Sequence, residues 1–282
     1  MRYRDKRVVV AGCSSGIGLA TVEALVAEGA EVHGAGTNRP AGAIAGFVPL
    51  DLRDPRSIDS AVAQIGGEID ALFTCSGLPQ TFPALDVMKV NFIGVRHWTE
   101  AWASRMRPGG AIATVTSTVG AHWADRLDLS RELVETEGFE AAMRWCERNP
   151  DPVADSYRFS KEVANVWTQH ASGDLIRRGV RLNALLPGPV ETPMMRHFEQ
   201  MAPRAIIEVF TQPIGRRSRP EDQAAPLLFL NSADAGMMVG HLLFVDGGFQ
   251  AAVNVGLIDP ASATAAAVIQ DQSPPIGSQP ST

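Results

Sequence analysis

The fold of this chain follows from the segment Lys6-Arg7-Val8-Val9-Val10-Ala11-Gly12-Cys13-Ser14-Ser15-Gly16-Ile17-Gly18. Its first half contains three consecutive valines and predicts a buried strand. Its second half is a glycine-rich turn, and a helical pattern follows. Backbone N–H groups at such a helix N-terminus bind phosphates, and glycines let the ligand approach closely. The first strand-to-helix junction therefore predicts a nucleotide site rather than a plain tight turn, with these contacts: Gly12, Ser14, Ser15, Gly16, Ile17 and Gly18.

Strand patterns alternate with helical patterns along most of the chain. This alternation predicts an α/β fold, a Rossmann-type doubly wound parallel sheet of about seven strands with helices on both faces. The strands are expected at Lys6–Ala11, Glu31–Gly36, Val48–Leu52, Ile69–Thr74, Ala111–Thr116, Val180–Leu186 and His241–Val245. We expect one dinucleotide-binding and catalytic domain at 1–250, with a helical insert at about 122–155, and a mobile C-terminal tail at 251–282.

Ligands of such sheets bind at the carboxyl ends of the strands. Ser76 and Gly77 follow the fourth strand and leave room for a cofactor ribose. Asp51, beside Leu52, either bonds the adenine amino group or caps the turn before Pro55. The turn after the sixth strand is expected to contact the nicotinamide end of the cofactor through Pro187, Gly188, Val190 and Thr192.

The end of the second strand bears on the choice between NAD and NADP. A fold that selects NAD usually places an acid there, which binds the ribose 2′-hydroxyl. Here Gly36 is followed by Thr37, Asn38 and Arg39, which supply a hydroxyl, an amide and a cation but no acid. We expect NADP(H) or NAD(H), with NADP(H) favoured. The alternative is that Arg39 is a solvated loop residue and either cofactor binds.

Tyr157 and Lys161 are four residues apart, so in a helix they lie on one face. The lysine charge should then lower the pKa of the tyrosine and make it a general acid and base. The alternative is an ordinary amphipathic helix with a solvated lysine. Asn91, in a helix expected over Leu85–Met106, is either a satisfied core amide or part of a polar relay.

An apolar segment with Met194, Met195 and Phe198 follows the predicted nicotinamide contact. Methionine adapts to irregular surfaces, so this segment is predicted to form a lid over an apolar substrate. Such a pattern is also typical of plain core packing.

Composition excludes several classes of protein. The chain has 282 residues, a net charge of −6 and a pI near 5.5, which argues against a nucleic-acid surface. Its apolar runs are too short for a membrane span. Three scattered cysteines indicate a reducing, cytoplasmic location without a disulfide framework, and no cluster has metal-ligand spacing.

Taken together, Gly12-x-x-x-Gly16-x-Gly18, Asn91, Ser117, Tyr157-x-x-x-Lys161 and Pro187-Gly188 resemble the short-chain dehydrogenase/reductase family over residues 6 to about 250. The resemblance implies that Tyr157 exchanges a proton with the substrate oxygen and that Ser117 hydrogen-bonds that oxygen. It implies that Lys161 lowers the pKa of the tyrosine and binds the nicotinamide ribose, and that Asn91 holds a water linking the lysine to solvent. Hydride would pass between the nicotinamide and a secondary alcohol or ketone.

Two departures from that family are informative. The connection from Gly77 to Asn91 is short, and the one from Ser117 to Tyr157 is long. The long one predicts helices at Leu127–Glu137 and Phe139–Glu147, with a stop at Asn149–Pro152. The same departures are similar to the bacterial 3α-hydroxysteroid dehydrogenase/carbonyl reductase branch. That likeness implies an apolar cyclic substrate such as a hydroxysteroid and a homo-oligomer, a dimer rather than a tetramer.

Two alternative functions stay open. A 3-ketoacyl-thioester reductase would need a basic surface for an acidic carrier, and Arg216, Arg217 and Arg219 offer one cluster. A non-catalytic NAD(P)-sensing protein on the same fold is the other, although it would need no Asn, Ser, Tyr and Lys set.

Overall fold

The computed structural model describes the backbone of residues 1–271 and the side chains of residues 1–268. Residues 272–282 of the predicted tail lie outside the described part. The strands are β1 (Arg7–Ala11), β2 (Glu31–Gly36), β3 (Gly46–Pro49), β4 (Ile69–Thr74), β5 (Met106–Val115), β6 (Arg181–Pro187) and β7 (Leu242–Val245). They form one parallel sheet in the order β3-β2-β1-β4-β5-β6-β7. The predicted fold class is confirmed.

Helices cover both faces of this sheet. In chain order they are α1 (Gly16–Ala27), α2 (Pro55–Ile65), α3 (Ala84–Met88), α4 (Gly94–Ala103), α5 (Leu127–Val134), α6 (Gly138–Arg148), α7 (Pro150–Ala154), α8 (Ser156–Arg177), α9 (Met195–Met201), α10 (Arg204–Val209), α11 (Pro220–Asn231), α12 (Phe249–Asn254) and α13 (Pro260–Asp271). None of the helices in the described part is both long and apolar enough to cross a membrane.

The valine run of β1 explains why the sheet is buried on both faces. Val9 belongs to one apolar cluster, and Val8 and Val10 belong to another on the opposite face. All three side chains are completely buried. Strands of a parallel sheet are covered on both sides by helices, so their sequences are continuously apolar instead of alternating.

The helix expected over Leu85–Met106 is interrupted. A π-helical turn, Lys89–Ile93, separates α3 from α4, and the latter ends at Ala103. The fifth strand begins at Met106, earlier than predicted. Single π turns are frequent at functional sites, and this one contains Asn91.

The predicted insert contains three helices, α5, α6 and α7. The expected stop after the second helix is confirmed, because α6 ends at Arg148 with Asn149 as its C-cap, but a further short helix, α7, begins at Pro150. Proline is tolerated at the first helical position, where its missing N–H would be unpaired anyway.

Two buried ionic groups attach the insert to the body. Arg96 of α4, 2% exposed, donates to backbone carbonyls at the junction of α5 and α6, including Val134 at 3.2 Å and Gly138 at 2.8 Å. Glu162 of α8 is fully buried and accepts from Arg126 Nε of the insert at 2.7 Å and from Arg158 Nε at 2.9 Å. Each buried charge thus has partners, as burial requires.

The structure differs from the expected mobile tail over residues 251–271. Helices α12 and α13 occupy most of this segment. Phe249 and Ala267 are buried in a small apolar cluster with Val209 of α10. The C-terminal helices therefore pack on the segment that follows α9.

Candidate active site

A cavity of about 470 Å³ lies at the carboxyl ends of the strands. Most of the sequence-predicted site residues line it: Gly12, Ser14, Ser15, Gly16, Ile17, Thr37, Asp51, Leu52, Ser76, Gly77, Ser117, Tyr157, Lys161, Pro187, Gly188, Val190, Thr192, Met194, Met195 and Phe198. Four others lie outside this lining: Gly18, Asn38, Arg39 and Asn91. The topology therefore brings most of the predicted residues, far apart in sequence, to one cavity.

The glycine-rich turn is fixed by contacts between backbones. A Cβ on Gly12, whose φ is +76°, would lie 2.6 Å from the Ser76 nitrogen. A Cβ on Gly18 would lie 2.0 Å from the Gly12 carbonyl oxygen. These positions have no room for a side chain, so the turn packs directly on α1 and β4.

The N-terminus of α1 has the properties of a phosphate site. Ser15 at the N-cap makes no side-chain hydrogen bond to the helix, so the first-turn N–H groups are not capped. Gly16 and Ile17 of that turn line the cavity. Uncapped N–H groups and the positive end of the helix dipole fit a dinucleotide pyrophosphate.

The adenosine end of the cavity is open at Gly36. A Cβ placed there would meet no atom closer than 3.9 Å, and φ is not in the left-handed region. Thr37 lines the cavity, whereas Asn38 and Arg39 are exposed outside it. The Asn38 amide donates to Thr37 Oγ1 at 3.3 Å.

Arg53 is a cation at this end that the sequence analysis missed. It lines the cavity, and its Nη2 lies 2.8 Å from Asp51 Oδ2. The carboxylate of Asp51 also accepts from the Arg53 backbone N–H at 2.9 Å, so Asp51 caps its own turn. The guanidinium lowers the pKa of Asp51. The position of Arg53 two residues after Asp51, at a strand end, is the signal that was available.

Tyr157 and Lys161 lie on one face of α8, as their spacing predicts. The Lys161 Nζ is 5.6 Å from the centroid of the Tyr157 ring. Both side chains are buried, 8% and 4% exposed. Ser117, which follows β5, lines the same cavity as Tyr157, and its hydroxyl accepts from the Val119 N–H at 3.2 Å. The solvated-lysine alternative is therefore wrong.

The expected lowering of the tyrosine pKa is also wrong for this structure. Burial raises the pKa of Tyr157 to about 12, with the Ser117 hydrogen bond acting in the opposite direction. Burial lowers the pKa of Lys161 to about 8. Removal from water disfavours the charged form of both groups.

Asn91 has a satisfied side chain. Its Oδ1 accepts from the Leu78 N–H at 2.7 Å, and its amide donates to the Leu78 carbonyl at 3.0 Å and to Ser160 Oγ at 3.2 Å. The side chain thus holds the loop that follows β4. A role of Asn91 in linking Lys161 to solvent stays a prediction.

The predicted lid segment does line the cavity. The Phe198 ring is 5.1 Å from the Tyr157 ring in an edge-to-face arrangement. Opposite this segment, Leu78 and Phe82 from the loop after β4 also line the cavity, and the sequence analysis did not identify them. The apolar Phe82 in the short connection after Gly77 was the available signal.

Two of the three arginines in the cluster Arg216, Arg217 and Arg219 are paired with carboxylates. Arg216 Nη1 pairs with Asp222 at 2.7 Å, and Arg217 Nη1 pairs with Glu199 at 2.6 Å. Within the described residues, no group of three or more His, Cys, Asp or Glu side chains has the arrangement of a metal site.

Comparison with known proteins identifies the family. A short chain dehydrogenase family model matches residues 6–126, and an enoyl-(acyl carrier protein) reductase model matches residues 147–250. A coniferyl-alcohol dehydrogenase from Pseudomonas sp. (strain HR199 / DSM 7063) is 36% identical, over 88% of this chain and 98% of that protein. A 3-alpha-hydroxysteroid dehydrogenase/carbonyl reductase from Comamonas testosteroni is 31% identical, over 86% and 96%.

A solved structure shows the same arrangement of elements. The 3-alpha-hydroxysteroid dehydrogenase from Pseudomonas sp. B-0831, complexed with NADH, has a TM-score of 0.74 and 28% identity, covering 88% of this chain and 98% of that one. The resemblance read from the glycine turn and the tyrosine–lysine pair is confirmed. The chain belongs to the short-chain dehydrogenase/reductase family of nicotinamide-dependent oxidoreductases.

Proposed function

We propose that this enzyme interconverts an apolar, ring-bearing alcohol and its carbonyl compound. The observation that supports this most strongly is the buried Tyr157 that lines one cavity together with Ser117, Lys161 and the glycine-rich turn. The surrounding lid residues Met194 and Phe198 are apolar. The coniferyl-alcohol and hydroxysteroid dehydrogenases to which the chain is similar are named for ring-bearing alcohols.

The protein residues have separate roles in this reaction. Because burial raises its pKa to about 12, Tyr157 is a neutral phenol near pH 7 and can donate its proton to a carbonyl oxygen. Alcohol oxidation needs the phenolate, which the nearby Lys161 ammonium would stabilise. Ser117 would orient the substrate oxygen toward the phenol. The nicotinamide supplies or accepts the hydride.

The residues of the cavity fit a nicotinamide dinucleotide, and we propose that NADP(H) is favoured. The turn Gly12–Gly18 would hold the pyrophosphate, and Ser76, Gly77, Pro187, Gly188, Val190 and Thr192 would border the nicotinamide half. At the adenosine end, Gly36 brings no carboxylate that would repel a 2′-phosphate, and Thr37 offers a hydroxyl. The lining cation there is Arg53 rather than the predicted Arg39.

Fluorescence titration of the protein with NADPH and NADH in one buffer tests this preference. A lower Kd for NADPH is expected. Arg53→Ala should then weaken the binding of NADPH more than the binding of NADH. Arg39→Ala should weaken NADPH binding less than Arg53→Ala does. Equal or tighter binding of NADH would contradict the proposal.

Replacement of Tyr157 by Phe tests the catalytic role. The loss of general acid–base catalysis should lower kcat about 10²- to 10⁴-fold for coniferyl alcohol or a 3α-hydroxysteroid, while cofactor affinity is retained. The matched control is Tyr3→Phe, which removes the only other tyrosine hydroxyl, bonded to the Leu228 carbonyl at 2.6 Å and remote from the cavity. Unchanged turnover in Tyr157→Phe would contradict the mechanism.

The rival functions have less support. A carrier-bound acyl thioester would need free cations near the site, and Arg216 and Arg217 are paired with carboxylates. A pure sensor would have no use for a buried phenol that shares its cavity with a serine and a lysine. Assay of acetoacetyl thioesters distinguishes the first rival, since turnover faster than with cyclic alcohols would favour it.

We also propose that the protein forms a homodimer through the outer edge of β7. This strand pairs only with β6 in the described sheet, so its other edge is free. Phe244 on it is 38% exposed, and Met237 nearby in sequence is 97% exposed. Free strand edges favour pairing with another chain. Light scattering should give twice the chain mass, and Phe244→Lys should shift the protein toward monomer.

A further inference from the structure

Two separate segments meet over the substrate end of the cavity. One is the loop 78–83 between β4 and α3, and the other is α9. Thr81 Oγ1 lies 3.0 Å from His197 Nδ1, a hydrogen bond between residues 116 positions apart. The Phe82 and His197 rings are in contact as well, with their centroids 5.9 Å apart.

The loop side of this contact is firmly held. Asn91 binds both backbone groups of Leu78, at 2.7 and 3.0 Å. Only nine residues, 75–83, connect Thr74 at the end of β4 to Ala84 at the start of α3. Thr81 is therefore presented from a short, anchored loop.

The α9 side has little packing of its own. This helix has seven residues, and Met195 is its only buried side chain. Two side-chain polar contacts join it to other segments: Glu199 pairs with Arg217, and His197 makes a solvent-exposed hydrogen bond with Thr81. The Thr81–His197 bond is thus the polar contact that joins α9 to the loop after β4.

The position of α9 sets a wall of the catalytic site. Phe198, next to His197, packs edge-to-face on Tyr157 with ring centroids 5.1 Å apart. A displacement of α9 would therefore widen the space beside the phenol. The Thr81 contact and the position of the Phe198 ring are therefore coupled through α9.

The walls at the substrate end come from the two segments that this contact joins. Leu78 and Phe82 of the loop and Met195 and Phe198 of α9 line the cavity. The position of α9 therefore sets the width that is left for a substrate ring beside Tyr157. Phe82 and Phe198 are aromatic, and the faces and edges of aromatic side chains favour a planar ring.

We propose that Thr81 and His197 form a latch that makes the enzyme specific for single-ring aryl alcohols and aldehydes over fused-ring alcohols. The inference rests on the proposed function and adds the size and shape of the substrate. Neither latch residue takes part in the chemistry. They act by fixing the wall that Phe198 forms.

The test is the ratio of kcat/KM for cinnamyl alcohol to kcat/KM for androsterone, a single-ring and a fused-ring substrate. The wild type should favour cinnamyl alcohol. Thr81→Val keeps the shape and removes the hydroxyl, so the ratio should fall about 3- to 10-fold, the effect of one hydrogen bond. His197→Phe keeps a ring beside Phe82 without the bond and should lower the ratio similarly. The matched control, Thr81→Ser, keeps the hydroxyl and should preserve the wild-type ratio.

Melting temperatures of all variants show whether each is folded, and two independent variants remove the same bond. A ratio unchanged in both Thr81→Val and His197→Phe would overturn the latch, as would a wild type that prefers androsterone. These outcomes leave the proposed function intact, because they require an active enzyme. A folded, cofactor-binding wild type that oxidises neither alcohol and reduces neither carbonyl product would instead overturn both.

Discussion

The cofactor side and the substrate side of the cavity are built in different ways. On the cofactor side, backbone packs on backbone: a Cβ on Gly18 would lie 2.0 Å from the Gly12 carbonyl oxygen. On the substrate side, side chain meets side chain, as in the contacts of His197 with Thr81 and of Phe198 with Tyr157. Cofactor binding is therefore a property of the whole fold, whereas substrate choice depends on a few replaceable side chains.

The largest expected effect is at the backbone contact itself. Gly18→Ala would place a methyl group 2.0 Å from the Gly12 carbonyl oxygen. Overpacking of this severity should lower the free energy of unfolding by about 3 kcal/mol or more and abolish cofactor binding. Thermal melts and NADPH titration measure both. The control is Gly173→Ala in α8, where no atom lies within 4 Å and φ is ordinary. That variant should melt at the same or a higher temperature. If Gly18→Ala had the stability and NADPH affinity of the wild type, the cofactor side would not depend on backbone packing as we infer.

The next effect concerns Lys161, which lies where the two sides meet. Burial lowers its pKa from 10.5 to about 8, so between these values the unfolded chain binds more protons and stability rises with pH. Below pH 8 the buried charge lowers the free energy of unfolding by about 3 kcal/mol, and this loss disappears as the pH rises toward 10.5. Lys161→Met should therefore be inactive but more stable than the wild type at pH 7, with the gain shrinking by pH 10.

Lys89→Met is the matched control for this pH dependence. Lys89 is paired with Asp86 at 3.6 Å near the surface, so its loss should change stability by less than about 1 kcal/mol. Urea unfolding of both variants across this pH range makes the comparison. If the extra stability of Lys161→Met did not shrink as the pH rises, packing rather than the buried charge would be its cause.

The smallest expected effect is at Gly36, where the cofactor side has room for a side chain. Gly36→Asp fits without a clash and places a carboxylate at the adenosine end. Repulsion of the 2′-phosphate should shift the NADPH-to-NADH affinity ratio at least about tenfold toward NADH. Gly36→Asn has the same size without the charge and should shift it less. Equal shifts in the two variants would mean that bulk, and not charge, controls the choice.

The parts of the site that sequence predicts are those set by local patterns. The valine run, the glycine turn and the Tyr157–Lys161 spacing each lie within one segment, so their geometry follows from helix and strand periodicity. The latch residues Thr81 and His197, and the cavity residues Arg53 and Phe82, were missed because their roles depend on contacts between distant segments. The pKa of Tyr157 was predicted with the wrong direction for a similar reason. Spacing shows that a lysine is near, but it does not show that both groups are removed from water.

Helix α13 packs on α10, the helix that follows the wall segment α9. Phe210, just after α10, lies 5.2 Å from Phe249 ring to ring, and Ala267 of α13 is buried in the same cluster. Helix α10 in turn follows α9 after a short turn. Helix α13 is thus a brace for the wall beside the catalytic phenol. We therefore expect truncation or fusion near residue 260 to change the relative rates of the enzyme with different alcohols.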